Sequence, residues 1–136
     1  MNKRRVVITG LGTLAPNGNT TPEYWDSISK GKSGIGYITK FDAQNLSVKI
    51  AGELSGFNAE DFFDRKDIKR LDPFTIYSIV TTEEALKQSN LDNSNLNMER
   101  VGVIYGTGVG GIQTLEEQHG IYSNRGQRRV SPFFVP

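Results

Sequence analysis

Apolar residues recur along the chain in two patterns, and together these patterns predict an α/β fold. Short β-branched runs at 6–9 (VVIT) and 101–105 (VGVIY) are typical of buried strands. Apolar residues at helical spacing predict a helix over 21–31, a long and mostly buried helix over 73–90, and a third helix over 112–122. Strands that alternate with helices favour a layered α/β architecture.

Capping residues set the expected ends of these helices. Thr21 is the predicted N-cap of the first helix, Pro22 suits its first position, and Gly31 is placed to end it. Asp72 precedes a proline and is the expected cap of the long helix, while Asn58 is the expected cap of a short one.

The segments between these elements are less regular. Residues 33–42 (SGIGYITKFD) are predicted to form a loop with apolar anchors, and residues 47–54 alternate partly, which favours an edge or half-buried strand. Residues 92–100 are expected to be a polar loop, and residues 124–129 a flexible basic loop.

A glycine turn, GTGVGG, follows the second β-branched run and precedes the third helix. A strand, a glycine turn and a helix in this order place a site at the carboxyl end of a sheet in α/β proteins. Gly106, Gly108 and Gly111 match the dinucleotide-binding fingerprint, but no residue after Glu117 is acidic, so its acidic partner is missing. Glycines that allow close approach of backbone or ligand are the favoured interpretation, and a nucleotide-binding module stays open.

The composition argues against several kinds of partner and site. The 136 residues carry a net charge of +1, which favours neither nucleic acid nor a membrane surface as a partner. No cysteine is present, and the single histidine, His119, has no metal-ligand spacing around it, so no metal site is expected and no cofactor is assigned. No segment has the length of a membrane span or a signal peptide, so a cytoplasmic location is the expectation.

The densest basic run is RKDIKR at 65–70. If it is helical, Lys66, Lys69 and Arg70 share one face, because their spacing is i, i+3 and i+4. From composition alone, a solvated face is the favoured interpretation. The final residues, 131–136 (SPFFVP), are unusually apolar for a terminus and indicate a chain that continues in the intact protein.

Seven blocks of sequence, taken together, resemble one enzyme family along essentially the whole chain. In order they are RRVVITGLG, PNGN, SGIGYITKFD, KIAGEL, LDPF, GTGVGG and SPFFVP. They closely resemble the type II elongating β-ketoacyl-[acyl-carrier-protein] synthases, the FabF type, which are 3-oxoacyl-[acyl-carrier-protein] synthases. The resemblance implies a thiolase-like α/β fold with layered helices around a mixed sheet, of which residues 1–136 are the first part of the N-terminal half.

The resemblance also implies a reaction and its partners. Members of this family join an acyl group to malonyl carried on acyl carrier protein (ACP), with loss of CO2, and they assemble as homodimers. Their acylated cysteine and two histidines lie beyond the residue that matches Pro136. The resemblance therefore implies that this chain by itself lacks the catalytic set and does not condense substrates, and no catalytic residue is assigned within it.

The resemblance places some binding residues inside the chain. Val109 matches the branched residue that gates the fatty-acyl pocket, and Phe134 matches the aromatic residue that lines the partner subunit's pocket. A basic surface that docks the carrier protein is matched by Lys66, Lys69, Arg70, Arg128 and Arg129. An acidic carrier helix is a reasonable partner for such a surface, because charges at an interface rim steer and orient it. The preferred acyl chain length stays open.

Two alternatives remain beside the condensing enzyme. A chain-length-factor-like homologue shares this region and lacks the catalytic cysteine, and a glycine-rich nucleotide-binding module is the second alternative. We also expect the isolated chain to be oligomeric, domain-swapped or covered by a partner, because the strand over 101–105 would lack neighbours and an unpaired strand edge invites association.

Overall fold

The computed structural model describes residues 4–91 and 96–134. The chain divides into two compact units: the first contains residues 4–57, 80–91 and 96–99, and the second contains residues 58–79 and 100–134. The main elements are helix α1 (Thr21–Ser29), strands β1 (Ile35–Tyr37) and β2 (Ile50–Gly52), and helices α2 (Arg65–Ile68), α3 (Pro73–Ser89) and α4 (Ile112–Arg125). Short 3-10 turns occur at Ala59–Asp61, Met98–Arg100 and Gln127–Arg129.

Helix α1 begins one residue earlier than predicted. The N-cap is Thr20, not Thr21, and its side chain accepts a hydrogen bond from the Glu23 amide. The Glu23 carboxylate in turn accepts from the Asn19 amide at 2.9 Å, so two side-chain bonds fix the start of the helix. Gly31 follows the C-cap with a φ of 67°, which confirms the predicted glycine stop.

Strands β1 and β2 pair antiparallel, with Ile35 opposite Gly52 and Tyr37 opposite Ile50. The strand predicted over 47–54 is confirmed at its centre. The loop predicted over 33–42 is wrong at Ile35–Tyr37, because the backbone there pairs with β2, a partner that spacing within the segment itself cannot reveal.

Helix α3 confirms the predicted long helix to within one residue at its end. Its only buried residues are Ile76 and Val80, and Leu86 is 46% exposed, so the helix is less buried than predicted. In the first unit its side chains accept hydrogen bonds from backbone amides near the start of α1. Glu84 accepts from the amides of Thr13 and Thr21 at 2.8 and 2.7 Å. A methyl group added at Gly12 would overlap the carbonyl oxygen of Thr81, so this segment lies directly on the helix backbone.

The two β-branched runs, 6–9 and 101–105, do not form strands, and both predictions are wrong for the described chain. Their side chains are exposed, with Val6 at 92% and Ile104 at 99%. The physical reason is that a strand exists only through ladder bonds to a neighbour, and neither run has a paired partner among the described residues.

The remaining predictions on local structure have mixed outcomes. The Asn58 cap is confirmed, since its side chain accepts from the Glu60 amide at 3.2 Å. Part of the loop predicted over 124–129 is helical, because α4 continues to Arg125 and a 3-10 turn follows. The polar loop over 92–100 falls partly outside the described residues and ends in the 3-10 turn Met98–Arg100.

Among the described residues, no helix combines the length and apolar character that crossing a membrane requires.

Candidate functional site

The glycine turn in the second unit leads directly into helix α4, as predicted. Gly111 is the N-cap of α4 with a φ of 69°, a backbone conformation that residues with a side chain rarely adopt. The Val109 side chain projects from this turn and is 66% exposed. The turn therefore presents one branched apolar side chain in front of a helix N-terminus.

The first turn of α4, directly after the glycine turn, is attached to the start of α3 by Asp72. One carboxylate oxygen of Asp72 accepts from the Thr114 amide at 3.1 Å and from the Thr114 hydroxyl at 2.7 Å. The other oxygen accepts from the Phe74 amide at 3.3 Å, in the first turn of α3. A single half-buried carboxylate thus caps α3, as predicted, and also accepts hydrogen bonds from the first turn of α4, which was not predicted.

Phe134 lies against helix α4 in the second unit. It is half-buried and lines an apolar cleft of about 270 Å³ together with Leu115, His119, Tyr122 and Val130. The segment that carries Phe134 is held to α4 by the Ser131 amide, which donates to the side-chain oxygen of Gln118 at 2.7 Å. His119 therefore lines this cleft. Among the described residues, no hydrogen bond or ion pair links it to a second catalytic side chain.

Phe133 connects this segment to the basic run. The guanidinium carbon of Arg70 lies 4.7 Å from the centre of the Phe133 ring, a distance at which a cation and an aromatic face attract each other. The structure thus brings the end of the basic run next to the residue that precedes Phe134, although the two are far apart in sequence.

The predicted basic residues differ from their neighbour Arg65 in one respect. Arg65 forms a two-bond pair with the Glu60 carboxylate, with both N–O distances at 3.0 Å, so its charge is neutralised locally. The five predicted docking residues are all exposed, and none has a carboxylate within 4.0 Å in the described part of the chain; they are Lys66, Lys69, Arg70, Arg128 and Arg129. Their positive charge is therefore available to a partner.

All seven predicted site residues belong to the second unit, although they come from three separated stretches of sequence. The Asp72–Thr114 pair was missed because it joins residues 42 positions apart. Its only sequence signal is a glycine at the N-cap of α4, which leaves the first-turn amides without a local acceptor. In the described residues no group of three or more His, Cys, Asp or Glu side chains is arranged to hold a metal ion.

Sequence relatives agree with the resemblance found in the motifs. The family described as beta-ketoacyl synthase, N-terminal domain, matches residues 3–136. The chain is 41% identical over its whole length to 3-oxoacyl-[acyl-carrier-protein] synthase 2 of Synechocystis sp., and covers 33% of that protein. It is 47% identical over 98% of its length to the protein of the same name from Staphylococcus aureus strain N315, and covers 32% of it. The chain thus spans about a third of the length of these relatives.

Solved structures show the same similarity in three dimensions. A type II polyketide ketosynthase in complex with its acyl-carrier protein matches 96% of the chain with a TM-score of 0.77 and 28% identity, and the match covers 34% of that chain. The ishigamide ketosynthase/chain length factor matches 97% of the chain with a TM-score of 0.71 and 25% identity, over 33% of its own chain.

These matches confirm the predicted α/β fold, because the ketosynthases to which the chain is similar have the thiolase-like fold. The helices and the small sheet of the described residues are the part of that fold that this stretch of sequence provides. The chain belongs to the beta-ketoacyl synthase family, and residues 3–136 lie within the N-terminal domain of that family.

Proposed function

We propose that the full-length protein containing this chain is a cytoplasmic, homodimeric condensing enzyme of fatty-acid elongation. The observation that carries the proposal is the sequence similarity of two 3-oxoacyl-[acyl-carrier-protein] synthases to this chain, at 41% and 47% identity over 100% and 98% of its length. The proposed reaction transfers an acyl group to an enzyme cysteine and extends it with malonyl-ACP to give 3-oxoacyl-ACP.

Extension begins with the decarboxylation of malonyl-ACP. Loss of CO2 breaks the bond between the malonyl carboxyl group and C2, and the electron pair stays on C2 as an enolate. The enolate forms the new carbon–carbon bond to the acyl carbonyl, and the enzyme thiolate leaves. Because the chain has no cysteine, the thiolate in this proposal comes from the remainder of the protein.

Val109 and Phe134 are the proposed acyl-binding residues. Val109 is supported by its exposed position on the glycine turn before α4, a helix whose first turn is bonded to the Asp72 carboxylate. Phe134 is supported by its position on the apolar cleft beside α4. Both side chains are apolar and would contribute to binding an alkyl chain by removing its surface from water.

The five unneutralised basic residues are the proposed docking surface for the carrier protein. We expect Lys69→Gln in the full-length protein to raise KM for acyl-ACP about two- to fivefold with kcat nearly unchanged, since exposed charges contribute modestly and act mainly on encounter. Lys49→Gln is the control, because it removes the same charge from an exposed lysine outside the set. The effect should shrink as salt is raised. An equal rise in KM for both variants would contradict the docking role of Lys69.

The experiment that tests the overall proposal is an assay of the purified full-length protein with acyl-ACP and malonyl-ACP, followed by mass analysis of the products. The expected product is 3-oxoacyl-ACP, two carbons longer, together with CO2. A parallel assay with the 136-residue chain should give none. Failure of the full-length protein to extend any acyl-ACP would overturn the proposal.

A chain-length-factor-like protein is the second candidate, because one structural neighbour is a ketosynthase/chain length factor pair. Covalent labelling by an acyl-thioester analogue separates the two candidates. A condensing enzyme should take one label per subunit at a cysteine, whereas a chain-length factor should take none and should acquire activity only beside a separate ketosynthase.

A further inference from the structure

Helix α4 begins without a side-chain cap of its own, because its N-cap is a glycine. An N-cap side chain normally accepts from the amide of the second or third helical residue, and Gly111 has no side chain that can do so. Thr114 is the third residue of α4, and its amide donates to Asp72 instead. Asp72, the N-cap of α3, therefore replaces the missing local cap.

The same part of α3 also contacts the glycine turn through an apolar group. A Cβ placed on Gly110 would lie 3.5 Å from the ring of Phe74, an ordinary van der Waals distance, so the glycine turn lies beside that ring. The Phe74 amide donates to the second oxygen of Asp72. The N-cap of α3 thus holds the first turn of α4, directly after the glycine turn, and Phe74 in the first turn of α3 lies beside Gly110 in the glycine turn.

We propose that Asp72 is a positioning residue that sets where the glycine turn places Val109, and thereby sets the acyl chain length that the enzyme accepts. This inference rests on the proposed condensing function and on the proposed contact of Val109 with the acyl chain. Asp72 does not itself touch substrate. It acts through two charge-assisted hydrogen bonds to Thr114 in a half-buried site, where such bonds are stronger than neutral ones.

A role in positioning differs measurably from a role in folding alone. If Asp72 only stabilised the protein, its replacement would lower activity equally for every acyl substrate. If Asp72 positions Val109, its replacement changes the space at one point of the acyl pocket. Because the fit of a single methylene in an apolar pocket already discriminates between substrates, the ratio of kcat/KM for long and short substrates should then change.

The test uses four variants of the full-length protein and a panel of acyl-ACP substrates of increasing length. Asp72→Asn removes the charge and one acceptor, and Thr114→Val removes only the hydroxyl donor. Thr114→Ser retains that donor, and Glu83→Gln removes an exposed carboxylate from the same helix. We expect Asp72→Asn to change the long-to-short ratio of kcat/KM by about fivefold and Thr114→Val by about twofold, with the two control variants unchanged.

Hydrogen exchange at the Thr114 amide is measured on the same samples and does not depend on catalysis. Loss of the carboxylate acceptor should speed this exchange about tenfold in Asp72→Asn. If neither the unaltered protein nor any variant condenses substrates, the proposed function is wrong. If exchange of the Thr114 amide is unchanged in Asp72→Asn, the proposal that Asp72 positions α4 is overturned, whatever the activity. If Asp72→Asn lowers activity equally for all acyl chain lengths, the positioning role is overturned. If Asp72→Asn does not fold, Thr114→Val decides, and an unchanged long-to-short ratio of kcat/KM in that variant overturns the positioning role.

Discussion

The Glu53 carboxylate shows how a few local donors change the chemistry of one residue. It accepts from the Thr39 hydroxyl at 2.7 Å, from the Thr39 amide at 3.0 Å and from the Lys40 amide at 3.2 Å. These bonds lower the pKa of Glu53, with the Thr39 hydroxyl as the largest cause. Because the folded-state pKa lies below the unfolded one, the resulting stabilisation is present above the ordinary carboxyl pKa and is lost as pH falls through the lowered value.

Thr39→Val should raise the pKa of Glu53 toward its ordinary value, because it removes the hydroxyl donor and retains the branched shape. Thr39→Ser should keep the pKa low, since the hydroxyl remains. The measurement is a pH titration of the Glu53 side-chain carboxyl carbon by NMR in both variants. Equal pKa values in the two variants would show that the backbone amides alone account for the lowered value.

Side chains with local partners were largely predictable from sequence at this scale. The caps of the short turn at Asn58 and of α3 at Asp72 were found because a cap acts within three residues. The cap of α1 was displaced by one position, since Thr20 and Thr21 are chemically equivalent candidates and only the backbone conformation decides between them. The second role of Asp72, toward Thr114, is non-local and was not predictable.

Helix α3 provides hydrogen-bond acceptors for the irregular segment before α1 and for the first residue of α1. Glu84 accepts from Thr13 and Thr21, and Gln88, one turn later on the same face, accepts from the Leu11 amide at 2.5 Å. These side chains replace the ladder bonds that a strand would provide to the backbone. The segment after the first β-branched run is therefore fixed by a helix surface.

Glu84→Gln should destabilise the protein by about 1–3 kcal/mol, because an amide offers one acceptor where the carboxylate offers two to separate backbone donors. The adjacent Glu83→Gln should change stability by less than about 0.5 kcal/mol, as is usual for exposed positions. Urea unfolding of the two variants measures the difference. Equal midpoints for Glu83→Gln and Glu84→Gln would contradict a structural role for the Glu84 carboxylate.

The sequence predicted helices better than strands in this chain, and the reason is physical. A helix such as α3 or α4 satisfies its backbone within its own residues, so periodicity and caps contain most of the information. A strand depends on a neighbour that can be distant in sequence. The prediction at 47–54 was confirmed where β1 supplies that neighbour, and the predictions at 6–9 and 101–105 were wrong where the described chain supplies none.

The exposed β-branched runs are the main feature of the molecule as a whole. Val6, Ile8, Val103 and Ile104 are each more than three-quarters exposed, and such side chains are usually buried. The family relatives are about three times as long as this chain. We infer that the additional sequence of a full-length protein pairs with and covers these runs, which would then be strands as their composition predicts.

Ile104→Lys should therefore have opposite consequences in two proteins. In the isolated 136-residue chain, where the side chain is 99% exposed, lysine removes no packing and should reduce self-association at micromolar concentration in sedimentation experiments. In the full-length protein the same lysine would place a charge in a buried sheet and should prevent folding or strongly destabilise it. Ser123→Lys, which adds the same charge at an exposed position of α4, should leave both proteins unchanged. If the full-length protein tolerates Ile104→Lys, the run at 101–105 is not a covered strand, and its β-branched composition has another cause.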